Sequence, residues 1–151
     1  MTRRIVFLDF DGVLAPIRRW DRYGDLEGAC IQVLNEIVAG TGAEVVVSST
    51  WRYGKTVVEL QQMLDAAGFI GSVIDKTPLG PPGADRGDEI AAWLEEHAVV
   101  GYVIVDDHPN MGALGARLLL TDPGRGLQRA DATRAIAILM RSGGDGQESQ
   151  E

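Results

Sequence analysis

The sequence predicts one three-layer α/β domain, a doubly wound parallel sheet with helices on both faces. Short apolar runs rich in β-branched residues alternate along the chain with stretches whose apolar residues recur at helical spacing. Helices of that length between strands imply parallel neighbours buried on both sides. The length of 151 residues suits one domain and leaves little room for a second.

Ile5-Val6-Phe7-Leu8 reads as a buried strand, bounded by acidic and glycine residues. Residues 29–39 place Cys30, Val33, Leu34, Ile37 and Val38 on one helical face, and Gly40 and Gly42 suit its end. Glu44-Val45-Val46-Val47 is the second strand. Residues 57–67 form a helix through Val57, Leu60, Leu64 and Ala67, closed by Gly68. Ser72-Val73-Ile74 is a weaker strand. Residues 88–97 carry Ile90, Trp93 and Leu94 on a helix face, with Trp93 expected in the core. Tyr102-Val103-Ile104-Val105 is the third strong strand, and Leu118-Leu119-Leu120 is another weak one. Residues 131–140 form the last helix through Ala135, Ile138 and Leu139, with Asp131 as N-cap. The folded domain is therefore expected to span 1–141, followed by a polar, glycine-containing tail, 142–151, expected to be disordered.

The bulk chemistry is that of an ordinary globular protein. Apolar residues make up 45% and charged residues 24%, enough for one packed core. No segment approaches the roughly 20 apolar residues needed to cross a bilayer, so no membrane association is expected. The first residues lack the long apolar stretch of a secretion signal. Cys30 is the single cysteine, which excludes an internal disulfide and suits a reducing cytoplasm. The net charge of −8 argues against nonspecific nucleic-acid binding, although a local basic patch is compatible with it.

Ligands of open parallel sheets bind beyond the C-terminal strand ends, and here those ends carry chemistry. The first strand ends in Asp9-Phe10-Asp11-Gly12, two carboxylates one residue apart. The second ends in Ser48-Ser49-Thr50, hydroxyls able to bond a phosphoryl oxygen. The third ends in Asp106-Asp107, adjacent acids that repel unless a cation or proton offsets them. A hard divalent ion such as Mg²⁺ prefers such oxygen ligands. Any one pattern is common in βα turns; the conjunction at three strand ends is specific.

Phe7-Leu8-Asp9-Phe10-Asp11-Gly12-Val13-Leu14 resembles the first motif of the haloacid dehalogenase (HAD) superfamily, Val47-Ser48 its second, and Val105-Asp106-Asp107 its fourth. Order and spacing agree up to about Leu139. More narrowly, Thr41 through Arg52, Thr77-Pro78, Arg86 through Leu94 and Thr121-Asp122-Pro123…Gly126-Leu127 look like a cap-less bacterial and phage branch. Its relatives include phosphatase-like domains linked to RNA repair.

The resemblance implies a HAD-like, Rossmann-like sheet and a Mg²⁺-dependent phosphomonoester hydrolase working through an aspartyl-phosphate. Asp9 would be the nucleophile. Asp11 would protonate the leaving oxygen and then activate water, its backbone carbonyl helping to hold the metal. An acid at this second position favours phosphoryl transfer over carbon–halogen cleavage. Ser48 would bind the phosphoryl group, with Ser49 its fallback. Asp9, Asp11, Asp106 and Asp107 would be the metal set. The family's usual lysine between the second and fourth motifs has no direct counterpart: Arg86 stands at suitable spacing, and Lys76 is the right type but lies further upstream.

Neither the 11–45 nor the 50–86 segment can house a folded cap, so the resemblance implies an open site. Such a site suits a bulky phosphorylated substrate, such as a nucleotide or a nucleic-acid terminal phosphate. Gly12, Ser49, Arg18 and Arg52 are the expected substrate contacts. The loop 16–23 interleaves Arg18, Arg19 and Arg22 with Trp20 and Tyr23, as a phosphate-and-base loop would, and Trp51-Arg52-Tyr53 repeats the mixture beside Ser48. The competing explanation is that these aromatics pack on the core and the arginines pair with nearby acids. His108 follows the acidic pair, but a loop histidine before Pro109 is more often a bystander. Two other functions compete. A receiver-like phosphoacceptor has its paired acids after the first strand and its phosphorylated Asp after a later one, an order reversed here. A phospho-ligand-binding pseudoenzyme gains support only from the missing lysine.

Overall fold

The computed structural model describes residues 3–17 and 25–141. Arg18 with the rest of its basic-aromatic loop and the 142–151 tail lie outside the described residues. Five strands, β1 (Arg4–Leu8), β2 (Glu44–Val47), β3 (Val73–Lys76), β4 (Gly101–Asp106) and β5 (Leu118–Leu120), form one all-parallel sheet in the order β3-β2-β1-β4-β5. The helices are α1 (Gly28–Thr41), α2 (Val57–Ala66), α3 (Arg86–Glu95) and α4 (Arg129–Leu139). Both weak strand candidates are real strands and occupy the two edges. The described residues contain no inserted cap domain.

The strand pleat sorts the apolar residues into two layers. Val6, Leu8, Val45, Val47, Val103 and Val105 face a core that Ile31, Leu34 and Ile37 of α1, Leu60 and Leu64 of α2, and Ala135 and Leu139 of α4 complete. Ile5, Phe7, Val46 and Ile104 face the opposite way, onto Ile90 and Trp93 of α3 and Met111. Phe7 meets Trp93 edge-on, with ring centroids 5.5 Å apart. Residues on β1 are buried whichever way they point, which is why the strand reads as an unbroken apolar run.

Helix ends follow local hydrogen-bond chemistry. Gly42 closes α1 in the left-handed conformation, φ 73°, and its N–H bonds Val38 O. Thr56 and Glu59 form a reciprocal capping box at the start of α2. The last helix begins earlier than expected: Gln128 is the N-cap, and Asp131 sits one turn in, accepting the Gln128 N–H at 2.8 Å. The third helix likewise begins at Arg86, with Asp88 accepting the Asp85 N–H at 3.2 Å. In both, the acid satisfies a free donor of the first turn from inside the helix.

The strand order reverses between β1 and β4. Chains leaving these two strands go to opposite faces and open a crevice between their C-terminal ends. Leu8 pairs with Val47 on one side and Val105 on the other, so Asp9, Ser48 and Asp106 come next on three adjacent strands. No helix among the described residues is long and apolar enough to cross a membrane.

Candidate active site

Asp9 leaves β1 with its N–H bonded to Val105 O, and the chain then coils into a tight turn. The N–H groups of Val13, Leu14 and Ala15 converge on Phe10 O at 2.9 to 3.1 Å. Gly12 holds a positive φ of 78°, and a Cβ there would lie 2.1 Å from Asp107 Oδ2. Glycine is needed twice over, for the conformation and for the approach of the Asp107 carboxylate. The turn is fastened from the far end of the chain: Thr121 Oγ1 donates to Gly12 O at 2.7 Å, and Leu127 N–H to Val13 O at 2.8 Å. That accounts structurally for the 121–127 motif.

Asp9, Asp106 and Asp107 bring one carboxylate oxygen each to within 4.8 Å of one another. Asp9 and Asp106 are almost wholly buried, Asp107 partly so. The Arg86 guanidinium lies over them, its Nη1 2.7 Å from Asp106 Oδ2 and 3.2 Å from Asp9 Oδ2. The other Asp106 oxygen accepts the His108 N–H at 3.0 Å. Burial, with the Asp106 charge next in importance, pushes the Asp9 carboxyl up to about 8 against the pull of Arg86. Asp107 is raised as well, by burial and then by Asp106. Arg86 is itself partly desolvated, but Asp9 and Asp106 hold it more firmly protonated than usual. Three acids against one cation leave the site short of positive charge, the condition that a divalent ion would meet.

The other expected residues sort clearly. Ser48 is fully buried, and its hydroxyl has no hydrogen-bond partner, an orphan that calls for a ligand atom. Ser49 is also buried, but its Oγ accepts the Trp51 N–H at 3.1 Å and caps the short 3-10 helix Thr50–Arg52. Asp11 turns its carboxylate away from the acid cluster: Oδ2 accepts the Trp51 indole N–H at 2.9 Å, and Oδ1 is buried without a partner. Asp11 is thus absent from the carboxylate cluster, which leaves only its backbone for a metal role.

Arg52 corrects an expectation. It is only 2% exposed, and its guanidinium is fully engaged, donating to Ser48 O, Ser49 O and Thr77 O and pairing with Glu89 at 2.7 Å. It braces the loop that carries Ser48 from below instead of reaching substrate. Of the two basic residues weighed for the third motif, Arg86 reaches the acids. The Lys76 ammonium donates to Lys55 O and, weakly, to Arg52 O, away from the cluster.

Sequence reading missed Trp51 as the Asp11 partner, Glu89 as the Arg52 partner and Thr121 as the clamp on Gly12. Trp51 carried a signal as an aromatic beside the second-strand hydroxyls, and Glu89 and Thr121 fall in the 86–94 and 121–127 segments of the family resemblance, which gave no sign of their partners. The acids open into a cleft of about 430 Å³, walled by Asp11, Thr50, Asp85, Arg86, His108 and Asn110 among others.

With this geometry in view, the family comparison is decisive. The model of the HAD domain in Swiss Army Knife RNA repair proteins matches residues 5–132. The chain belongs to this HAD family. No curated protein matches the chain. The matched span of the HAD domain runs from β1 into α4 and takes in every residue of the acid cleft and of the turn that holds it. Membership supports phosphatase-like chemistry at the level of the superfamily, and the acid cluster is a set that could hold a metal ion.

Proposed function

We propose that this HAD domain is a Mg²⁺-dependent phosphomonoester hydrolase that works through an aspartyl-phosphate on Asp9. The observation that carries the reading is the convergence of Asp9, Asp106 and Asp107 within 4.8 Å beneath the Arg86 guanidinium, at the floor of an open cleft.

The chemistry divides among the chain's own groups. Asp9 attacks phosphorus through a carboxylate oxygen, and the bond from phosphorus to the ester oxygen breaks. Asp11 gives its proton to the departing oxygen, then takes one from the water that hydrolyses the acyl phosphate. Arg86 and the unpartnered Ser48 hydroxyl bind phosphoryl oxygens, reducing repulsion between the phosphate and Asp9. Trp51 orients Asp11 through its indole N–H. A Mg²⁺ ion held by Asp9, Asp106 and Asp107 would supply the further positive charge that an attack of carboxylate on phosphate dianion needs.

The substrate class follows from the open cleft and from the family. With no cap among the described residues, a bulky phosphate ester can enter. The family's description as a domain of RNA repair proteins favours a nucleotide or a nucleic-acid terminal phosphate. The test is multiple turnover of aryl phosphate, nucleotides and 5′- or 3′-phosphorylated oligonucleotides with Mg²⁺, using Asp9→Asn as control. Activity that survives Asp9→Asn, or no turnover on any class, overturns the proposal.

A further inference from the structure

A second cavity of about 430 Å³ opens beside the edge strand β3, between it and α3. Its walls include Tyr53, Asp75, Thr77, Leu79, Trp93 and His97. It is separate in character from the acid cleft, being mostly aromatic and aliphatic. Tyr53, 54% exposed, and Leu79, 63% exposed, stand at its mouth and give an incoming ring apolar surface to cover.

Two further features mark a built site. Thr77 is 2% exposed, yet its hydroxyl has no partner although it lines the cavity. An orphaned buried hydroxyl is a cost that a ligand atom would remove. Beside it, Trp93 and His97 form a stacked pair with centroids 3.8 Å apart and ring planes 7° from parallel. The Trp93 indole N–H is fixed on Asp75 Oδ2 at 2.7 Å, and His97 Nδ1 lies 2.7 Å from Trp93 O, so the rings are held in place. Because a carbonyl only accepts, Nδ1 carries the hydrogen there, and Nε2 is the ring nitrogen left for a further partner. Nε2 lies 3.9 Å from Asp75 Oδ2, too far for a hydrogen bond.

The polar groups also say what the cavity does not take. Its two strongest cations are already engaged, Arg52 by carbonyls and Glu89, and Lys76 by Lys55 O and Arg52 O. What remains is acceptor-rich: the Glu96 carboxylate, His97 Nε2, the two-way Thr77 hydroxyl, and the second lone pairs of an Asp75 carboxylate whose oxygens already take the Lys76 N–H and the Trp93 indole. That set suits a flat, neutral ring bearing N–H donors and does not suit a second phosphate.

We infer that this cavity binds a nucleobase bearing an exocyclic amine, next to the phosphoryl site. The ring cavity is linked to the loop that carries Ser48 through Arg52, which is among its walls. Arg52 Nε bonds Thr77 O while its Nη1 bonds Ser48 O and Ser49 O, so one side chain ties the ring cavity to the phosphoryl loop. Leu8, Val47 and Lys76 are in register, which sets Asp9, Ser48 and Thr77 abreast on three adjacent strands. Two strand spacings separate the outer pair, roughly 10 Å, a reach that a nucleotide spans. The inference deepens the proposed function, but base binding is testable without catalysis.

The experiment titrates the full-length Asp9→Asn chain, labelled with ¹⁵N, with adenosine, cytidine, uridine and inorganic phosphate, following the indole N–H signals. The expected result is that adenosine and cytidine move the Trp93 signal, uridine moves it less, and phosphate alone does not. Thr77→Val, an isosteric change that removes the orphan, should weaken adenosine binding about three- to tenfold, the worth of one hydrogen bond. The same variant should leave the thermal midpoint of the free protein unchanged or higher. A purely structural Thr77 would instead lower that midpoint. Nucleosides that leave the Trp93 signal still at millimolar concentration, or that move only Trp51, the partner of Asp11, overturn the inference. So does a response to an extended peptide but not to nucleosides, which would make β3 a strand-docking edge. Turnover assays on the native chain report separately on the phosphatase reading.

Discussion

The indole N–H of Trp51 donates to Asp11 Oδ2 at 2.9 Å, while its ring meets Phe10 edge-on at 5.1 Å. A side chain from the β2 loop thus holds the carboxylate that follows β1. Trp51→Phe keeps the ring contact and removes the donor. Turnover should fall about tenfold, the worth of one hydrogen bond that holds Asp11 in place. The loss should be larger for an alkyl phosphate than for an aryl phosphate, whose leaving oxygen needs less help from an acid. Equal losses on both substrates would separate Trp51 from proton transfer.

Arg86 is the one cation touching Asp9 and Asp106 among the described residues. Arg86→Ala should lower kcat on the order of 100-fold, as for other single donors to a developing charge. Arg86→Lys should recover part of it, because a point charge replaces a planar fork. Steady-state kinetics on the three proteins decide the matter.

The raised Asp9 carboxyl makes the stability of the metal-free protein depend on pH. Between its ordinary value of 3.8 and about 8, folded Asp9 keeps a proton that the unfolded chain has released. The folded state then binds more protons, so stability must fall as pH rises through that window. Asp107 is shifted in the same direction and adds to the slope. Thermal unfolding in chelator should show this decline in the native chain and much less of it in Asp9→Asn. Mg²⁺ should raise the midpoint most at the alkaline end.

Gly12→Ala faces two penalties, a positive φ and a Cβ 2.1 Å from Asp107 Oδ2. The variant should lose roughly 1 kcal/mol or more of stability. It should also bind divalent ions more weakly, because Asp107 must move. Calorimetric titration with Mg²⁺ or Mn²⁺ measures the second effect directly.

Arg52→Met should destabilise the ligand-free protein by about 3 kcal/mol, since it strands Glu89 and three carbonyls together. A substrate-binding arginine would raise KM and leave the unfolding midpoint of the free protein where it was.

The strands and the acids were legible in the sequence because burial writes itself into composition. A central parallel strand must be apolar on both faces, so Ile5 to Leu8 could hardly be anything else. The acids stand out because carboxylates at the ends of such strands have no packing reason to be there. Arg52 was misread because an arginine in a loop looks the same whether its fork faces solvent or three carbonyls. Only the fold shows that Thr77 O, Ser48 O and Ser49 O converge on it. The Trp51–Asp11 bond spans 40 residues, and the Thr121–Gly12 clasp 109, so neither leaves a periodic trace. Helix starts were misplaced by about two residues because an acid in the first turn does nearly the same work as one at the cap.

The clasp of Thr121 and Leu127 on the turn after Asp9 has a consequence for biosynthesis. Asp9 follows β1, the first strand of the domain and the middle one of its sheet. The acid pair Asp106–Asp107 and the segment that locks Gly12 emerge more than ninety residues afterwards. While the domain is being made, the Asp9 carboxylate is therefore without the acids that would share its site until β4 has been added. Maturation of the centre is coupled to completion of the domain.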